Sequence, residues 1–226
     1  MRAIQPVTDE PGVLVVGSEV PNLLEPGAAS TLVVSQHVDI GIPVSSHGRV
    51  KALLARLEGF RPSPEEPSVW LPEQEELIEV NFLGLDRALS DPTESYVLED
   101  SELPLLVFGA LSLLEHGRTV EVEGVRIPLP HTADLLLEKL VTERSGVKGD
   151  RDLLVVLGLL LVAGPTDLER LERRYRELRL DLRHAARTNL AVLSLLPPIP
   201  EMPDPEAHRA RVVALLRRLE ALERAP

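Results

Sequence analysis

HTADLLLEKLVTERSGVKGDRDLLVVLGLLL, residues 131–161, decides the fold. It reads as two helices joined by a short polar turn. The first runs from about Thr132 to Glu143, with Leu135, Leu136, Lys139 and Leu140 spaced for one face. The turn Ser145-Gly146-Val147-Lys148-Gly149 holds two glycines and ends that helix. The second helix is apolar almost all round from Leu153 to Val162, which predicts that it is buried inside the molecule. The run is too short to cross a bilayer, which needs about 20 residues. Arg144, Lys148, Asp150, Arg151 and Asp152 crowd its start, either as a binding site or as the charged cap of a buried helix.

After this pair the chain is helical. Thr166-x-x-Glu169 behind Pro165 reads as a capping box. The helix that follows is laced with Arg and Glu, with Leu168, Leu171, Tyr175 and Leu178 as its buried stripe, and the helical pattern resumes from Asn189 to Leu196. A stretch with five prolines, 197–205, precedes a last amphipathic helix from about Glu206 to Arg224.

Before the pair, strands dominate. Val13-Leu14-Val15-Val16 runs into Gly17-Ser18, as a central strand entering a turn would. Pro21, Pro26 and Gly27 leave room for a short helix at most. Residues 31–44 hold a strand or two, with Ser35, His37, Asp39 and Gly41 on one face and Val38, Ile40 and Ile42 on the other. Ser46 to Leu57 reads as an amphipathic helix closed by Gly59. Residues 68–71 and 76–84 read as a hairpin, in which Glu79 and Asn81 share a face. Residues 85–102 read as acidic turns, Leu103 to Glu115 as a helix, and 119–130 as a tight hairpin at Glu123-Gly124. Strands first and helices afterwards predict an α+β fold, a mixed sheet flanked by helices with a C-terminal helical region. The divisions are 1–130 for the α/β core, 131–196 for the packed helices and 197–226 for the proline-rich linker and terminal helix.

Composition narrows the chemistry. Cysteine is absent, so thiol catalysis, disulfides and thiolate metal sites are excluded. Aromatics at 3% argue against stacking platforms for single-stranded nucleic acid. The six histidines lack metal-ligand spacing, and no P-loop, dinucleotide fingerprint or G-x-S-x-G is present. Residues 1–118 hold 7 Lys and Arg against 19 Asp and Glu, whereas 119–226 hold 17 of each. The first half therefore carries the whole net charge of −12 and repels nucleic acid, DNA included. MRAIQPVTDEPG lacks the apolar segment of a signal peptide, so a cytoplasmic, membrane-free location is expected.

These parts, in this order, resemble the nucleotidyltransferase-fold proteins of bacteria, the group that includes abortive-infection and toxin–antitoxin nucleotidyltransferases. The likeness covers most of residues 12–162. It rests on Gly17-Ser18 after a strand, Asp39-Ile40-Gly41 at the paired-carboxylate position, a helix ending in Gly59-Phe60, and Val80-Asn81-Phe82-Leu83 at the third carboxylate position. Ile127-Pro128-Leu129-Pro130, Leu137-Glu138-Lys139-Leu140 and Lys148-x-x-Arg151-Asp152-Leu153 complete it. The resemblance implies metal-dependent transfer of a nucleoside monophosphate from an NTP to a hydroxyl of RNA, protein or a small molecule. Carboxylates would hold Mg²⁺, the Gly17-Ser18 turn would cradle phosphate, and Lys139, Lys148 and Arg151 would meet the triphosphate. It also implies a cognate protein partner. The carboxylate set is degenerate: Asp39 is retained, but Gly41 and Asn81 stand where acids belong. Asp39, Asn81 and Glu79 are the candidate catalytic residues, and Asp39 and Glu79 the candidate metal ligands, with Glu79 either a substitute ligand or a solvated strand residue. Lys139 either contacts phosphate, or pairs with Asp152 or snorkels outward. A catalytically silent module that binds a nucleotide or a protein partner is the alternative reading.

Overall fold

The computed structural model describes residues 2–25, 32–35, 37–75, 77–142 and 146–224, without the side chains of 146–148. Pro26, Gly27, residues 143–145 and the Lys148 side chain thus lie outside the described residues. A short α1 (Gln5–Thr8) leads to β1 (Leu14–Val16), a 3₁₀ turn at Gly17–Glu19 and α2 (Val20–Leu24). Then come β2 (His37–Pro43), α3 (His47–Leu54), β3 (Phe60–Pro62), β4 (Val69–Pro72), β5 (Glu79–Leu85), β6 (Ser95–Leu98) and β7 (Leu105–Phe108). The hairpin β8 (His116–Val122) and β9 (Val125–Pro130) precedes five helices: α4 (Thr132–Val141), α5 (Gly146–Val162), α6 (Pro165–Glu177), α7 (Leu180–Leu193) and α8 (Pro205–Arg224).

The seven-stranded sheet runs β1-β2-β5-β4-β3, with β7 also on β5 and β6 beyond it. β1 and β2 are antiparallel, β2 and β5 parallel, β4 and β5 antiparallel, and β5 and β7 parallel. The fold is therefore a mixed α+β sheet flanked by helices, with a helical C-terminal region. β1 is an edge strand rather than the central one expected. All three of its residues are nonetheless buried, because β9 packs beside it and covers the edge.

The alternation that defined β2 and β5 holds. Val38, Ile40, Ile42, Val80 and Phe82 are buried on one face, and His37, Asp39, Glu79 and Asn81 are half-buried on the other. All ten residues of α4 are buried, and α5 is buried from Leu153 to Leu160, so this pair is the centre of the helical layer.

Five local readings need correction. Gly146 and Gly149 do not make a turn: α5 begins at Gly146, because a buried helix tolerates glycine where tertiary packing outweighs propensity. Residues 95–98 form a strand within the acidic stretch, and Leu105–Phe108 is a strand followed by a 3₁₀ turn rather than a helix. Its apolar run is buried between β5 and β6, where strand and helix patterns look alike. The cap of α6 is Gly164, whose N–H donates to Asp167 at 2.9 Å, two residues earlier than the expected Thr166 and Glu169. The helical pattern of 166–196 breaks at Leu178 and Arg179, both extended, which lets α6 and α7 each lie against α4.

Candidate functional site

Register places the site. Val16, at the end of β1, pairs with Asp39, and Asp39 pairs with Asn81 across the parallel β2–β5 ladder. His37 pairs with Glu79 one step earlier. Side chains paired across a ladder project from the same face, so all four polar groups line one strip of the sheet. Within it the Asn81 amide donates to Asp39 Oδ1 at 3.1 Å, and His37 Nε2 lies 3.5 Å from the same oxygen. A carboxylate only accepts, so the amide presents its nitrogen to Asp39 and turns its oxygen away.

Gly17 closes the strip from the β1 side. Its φ is +81°, and a Cβ there would fall 2.1 Å from Asp39 Oδ2. Only glycine lets the chain turn at this point with the backbone against the carboxylate. Ser18 follows. Its hydroxyl lies 2.9 Å from that of Ser35, which spends its own proton on His37 O at 2.7 Å, so Ser18 is the donor. The segment carrying Ser35 is held by Asn22, whose side chain bonds Leu32 N–H, Val33 N–H and Val33 O. The Arg151 guanidinium bonds Val34 O and so reaches the same segment. Glu19, next to Ser18, has its pKa raised by burial, an effect partly offset by the hydrogen bond from Asn22.

Of the candidate residues, then, Gly17, Ser18, Asp39, Glu79 and Asn81 converge, and Arg151 stands behind Ser35. Lys139 is elsewhere in its contacts: it is buried on α4 with Nζ 3.4 Å from Glu138 Oε2. Sequence alone did not signal the Asn22 clip, since an isolated Asn between apolar residues has no spacing to betray it.

At Gly41 a Cβ would meet Leu85 Cδ1 and Cγ at 2.9 Å, so the space beside Asp39 where the sequence resemblance expects a second carboxylate is filled by leucine. Among the described residues, no group of three or more His, Cys, Asp or Glu is placed to hold a metal. Two carboxylates, Asp39 and Glu79, on one strip fit a single Mg²⁺ that arrives already bound to phosphate oxygens, the usual mode for this ion. They do not fit a resident two-metal centre.

No family model matches the chain, and no curated protein matches it. Two solved structures align over 99% of it: one described as a "putative nucleotidyltransferase from H. pylori", covered over 93% of its length, and JHP933 from Helicobacter pylori, covered over 90%. Both are 15% identical with a TM-score of 0.39. With overlap this weak, neither lends the chain a family or an activity.

Proposed function

We propose that the strip around Asp39 binds the triphosphate of a nucleotide in a nucleotidyltransferase-like site that has kept binding and shed transfer. The observation that carries this reading is the backbone of Gly17 pressed against a single carboxylate whose neighbouring amide donates to it. The turn amides of Gly17 and Ser18 would receive phosphate oxygens. Asp39, with Glu79 of the same strip as the substitute ligand, would hold the Mg²⁺ that accompanies the nucleotide, and that ion would neutralise the triphosphate beside an acidic surface. His37, Glu79 and the serine pair would line the approach. Transfer of a nucleoside monophosphate to a hydroxyl would need a second cation to activate the acceptor, and Gly41 and Asn81 give it no anionic ligand. Proteins of such descent in bacteria act on RNA, protein or small-molecule acceptors; here the reading is a nucleotide-dependent module.

Thermal shift and calorimetry with ATP, GTP, CTP and UTP test it. At a hundred times Kd, bound ligand adds about 2.7 kcal/mol, a rise of roughly 5–10 °C in a chain this size. The rise is expected only with Mg²⁺ and is expected to vanish in Asp39→Ala. Incubation with α-labelled NTPs and total RNA is expected to leave the label untransferred. Transfer that disappears in Asp39→Ala would make the protein an active enzyme; no shift with any nucleotide would end the reading.

A further inference from the structure

α8 lies antiparallel along α7. Glu223, near its end, pairs at 3.3 Å with Arg183 near the start of α7, and Arg209 donates to Ser194 O at the other end at 2.8 Å. Arg187 comes four residues after Arg183, and Arg217 six before Glu223. At a rise of about 1.5 Å per residue the two stand within about 3 Å of the same level. Arg218 pairs with Glu172 of α6 on the other side of α8, so Arg217, Glu220 and Arg224 turn toward α7. With Ala221 these three line a groove of about 580 Å³. The charges around it do not balance. Glu223 is taken by Arg183 and also accepts from the Tyr175 hydroxyl at 2.9 Å. Glu220 lies 3.8 Å from Arg224. Among the described residues, the guanidinium groups of Arg187 and Arg217 have neither an ion pair nor a hydrogen bond. Arg187 is half-buried, and its Nε is buried without an acceptor, as is that of Arg183. The Tyr175 phenol lies within reach of the Arg187 charge but stays neutral, because burial raises its pKa. Desolvating a guanidinium without a counterion is costly. Four arginines thus face two glutamates, which leaves two positive charges over in a chain whose net charge is −12.

We infer that this groove binds a small ligand through a phosphate group held between Arg187 and Arg217. An excess of two charges matches a phosphate dianion, whereas a carboxylate would cancel only one. Each guanidinium presents its N–H donors in a planar fork that meets two oxygens of a phosphate at once, so two forks grip the tetrahedral group on two edges. Binding would also give the buried Arg187 Nε the acceptor that the fold does not provide. A polymer matches less well. An RNA strand needs a track of cations, and on the outer face of the adjoining α6 Arg173 and Arg176 are interspersed with Glu169 and Glu177. The site is separate from the Asp39 strip. α8 approaches the Leu32–Val34 segment at His208, and Arg217 lies nine residues farther on, about 14 Å along the helix.

The melting temperature of the full chain against sodium pyrophosphate, without Mg²⁺ and with ionic strength held constant by chloride, reads this site apart from the strip. Two charge-assisted contacts correspond to a dissociation constant of about 1 mM. Pyrophosphate at about 10 mM is then expected to raise the melting temperature by roughly 3–6 °C. The rise is expected to persist in Asp39→Ala, and to disappear in Arg187→Leu and in Arg217→Gln. Arg217 is exposed, so its replacement leaves the fold intact. Arg173→Gln, on the exposed face of α6, should keep the full rise. Without ligand, Arg187→Leu should melt no lower than the parent, because it removes a cation that has no partner. No rise in the parent, an equal rise in Arg187→Leu or Arg217→Gln, or loss of the rise in Arg173→Gln or Asp39→Ala would each overturn the inference. So would a ligand-free Arg187→Leu that melts lower than the parent, or a short RNA that binds more tightly than pyrophosphate.

Discussion

At the scale of single residues, the strip depends on how little room surrounds Asp39. Gly17→Ala would force an L-residue into φ +81° and set its Cβ against the Asp39 carboxylate. The left-handed penalty is about 1–2 kcal/mol, and overpacking adds about 1–3 kcal/mol. The expected result in urea titration is a loss of roughly 2–5 kcal/mol together with loss of nucleotide binding. A variant as stable as the parent would show that the turn is not constrained. Glu19 gives a test with a sign. Burial raises its pKa above the usual 4.5, so the folded chain disfavours the ionised form. The resulting penalty is absent below pH 4.5 and grows as pH rises through the raised pKa. Glu19→Gln is therefore expected to melt higher than the parent at pH 7 and level with it at pH 4. A lower melting temperature at pH 7 would contradict the assignment. Much of this strip was legible in the sequence, because period-two alternation fixed which face of β2 and β5 held Asp39 and Asn81. The Leu85 side chain over Gly41 was not, since register between strands more than forty residues apart leaves no local trace.

Between elements, the buried carboxylate of Asp134 does what no motif suggested. It sits on α4, fully buried, and takes two hydrogen bonds from Arg170 of α6, at 2.9 Å and 2.8 Å. Arg174 Nε lies 3.7 Å away, and Glu115 adds a second carboxylate 2.9 Å from Arg170. Arg170 draws Glu115 below its usual pKa, chiefly by this hydrogen bond. The cluster ties α6 to α4 and to the end of the 3₁₀ turn after β7. In the sequence Arg170 and Arg174 are two among many charges of a helix laced with Arg and Glu, and only the docking of α6 on α4 turns them inward. Asp134→Ala would leave the largely buried Arg170 guanidinium with only the half-exposed Glu115 carboxylate, at about 3 kcal/mol. A fall in melting temperature of about 10 °C is expected, and replacing Asp134 and Arg170 together by leucine should recover most of it. A loss under about 1 kcal/mol for Asp134→Ala would place the pair with ordinary surface bridges. Apolar periodicity located α4 and α5, but the same periodicity could not tell the β7 strand from a helix, nor anticipate a break at Leu178 that lacks both proline and glycine.

For the whole molecule, the uneven charge sets the terms on which any anion approaches. The strip around Asp39 lies in the half of the chain that carries the net −12, and several basic residues of the helical half are ion-paired: Arg170 with Asp134, Arg179 with Asp91 and Asp181, Arg218 with Glu172. A site built on phosphate-binding lysines and arginines loses affinity as salt rises, because the attraction is screened. Here the long-range field repels a nucleotide, and salt screens that repulsion instead. Between about 0.01 M and 0.15 M ionic strength the screening length falls from about 30 Å to about 8 Å, enough to hide most of the acidic surface from a ligand seated among backbone amides. The affinity for a Mg²⁺-bound NTP at constant free Mg²⁺ is therefore expected to rise over this interval, with the gain in the association rate. Stopped-flow fluorescence with a labelled NTP would measure it. An association rate that falls with salt would mean that free cations face the ligand, and Lys148 or Arg151 rather than the Gly17 turn would then be the phosphate contact.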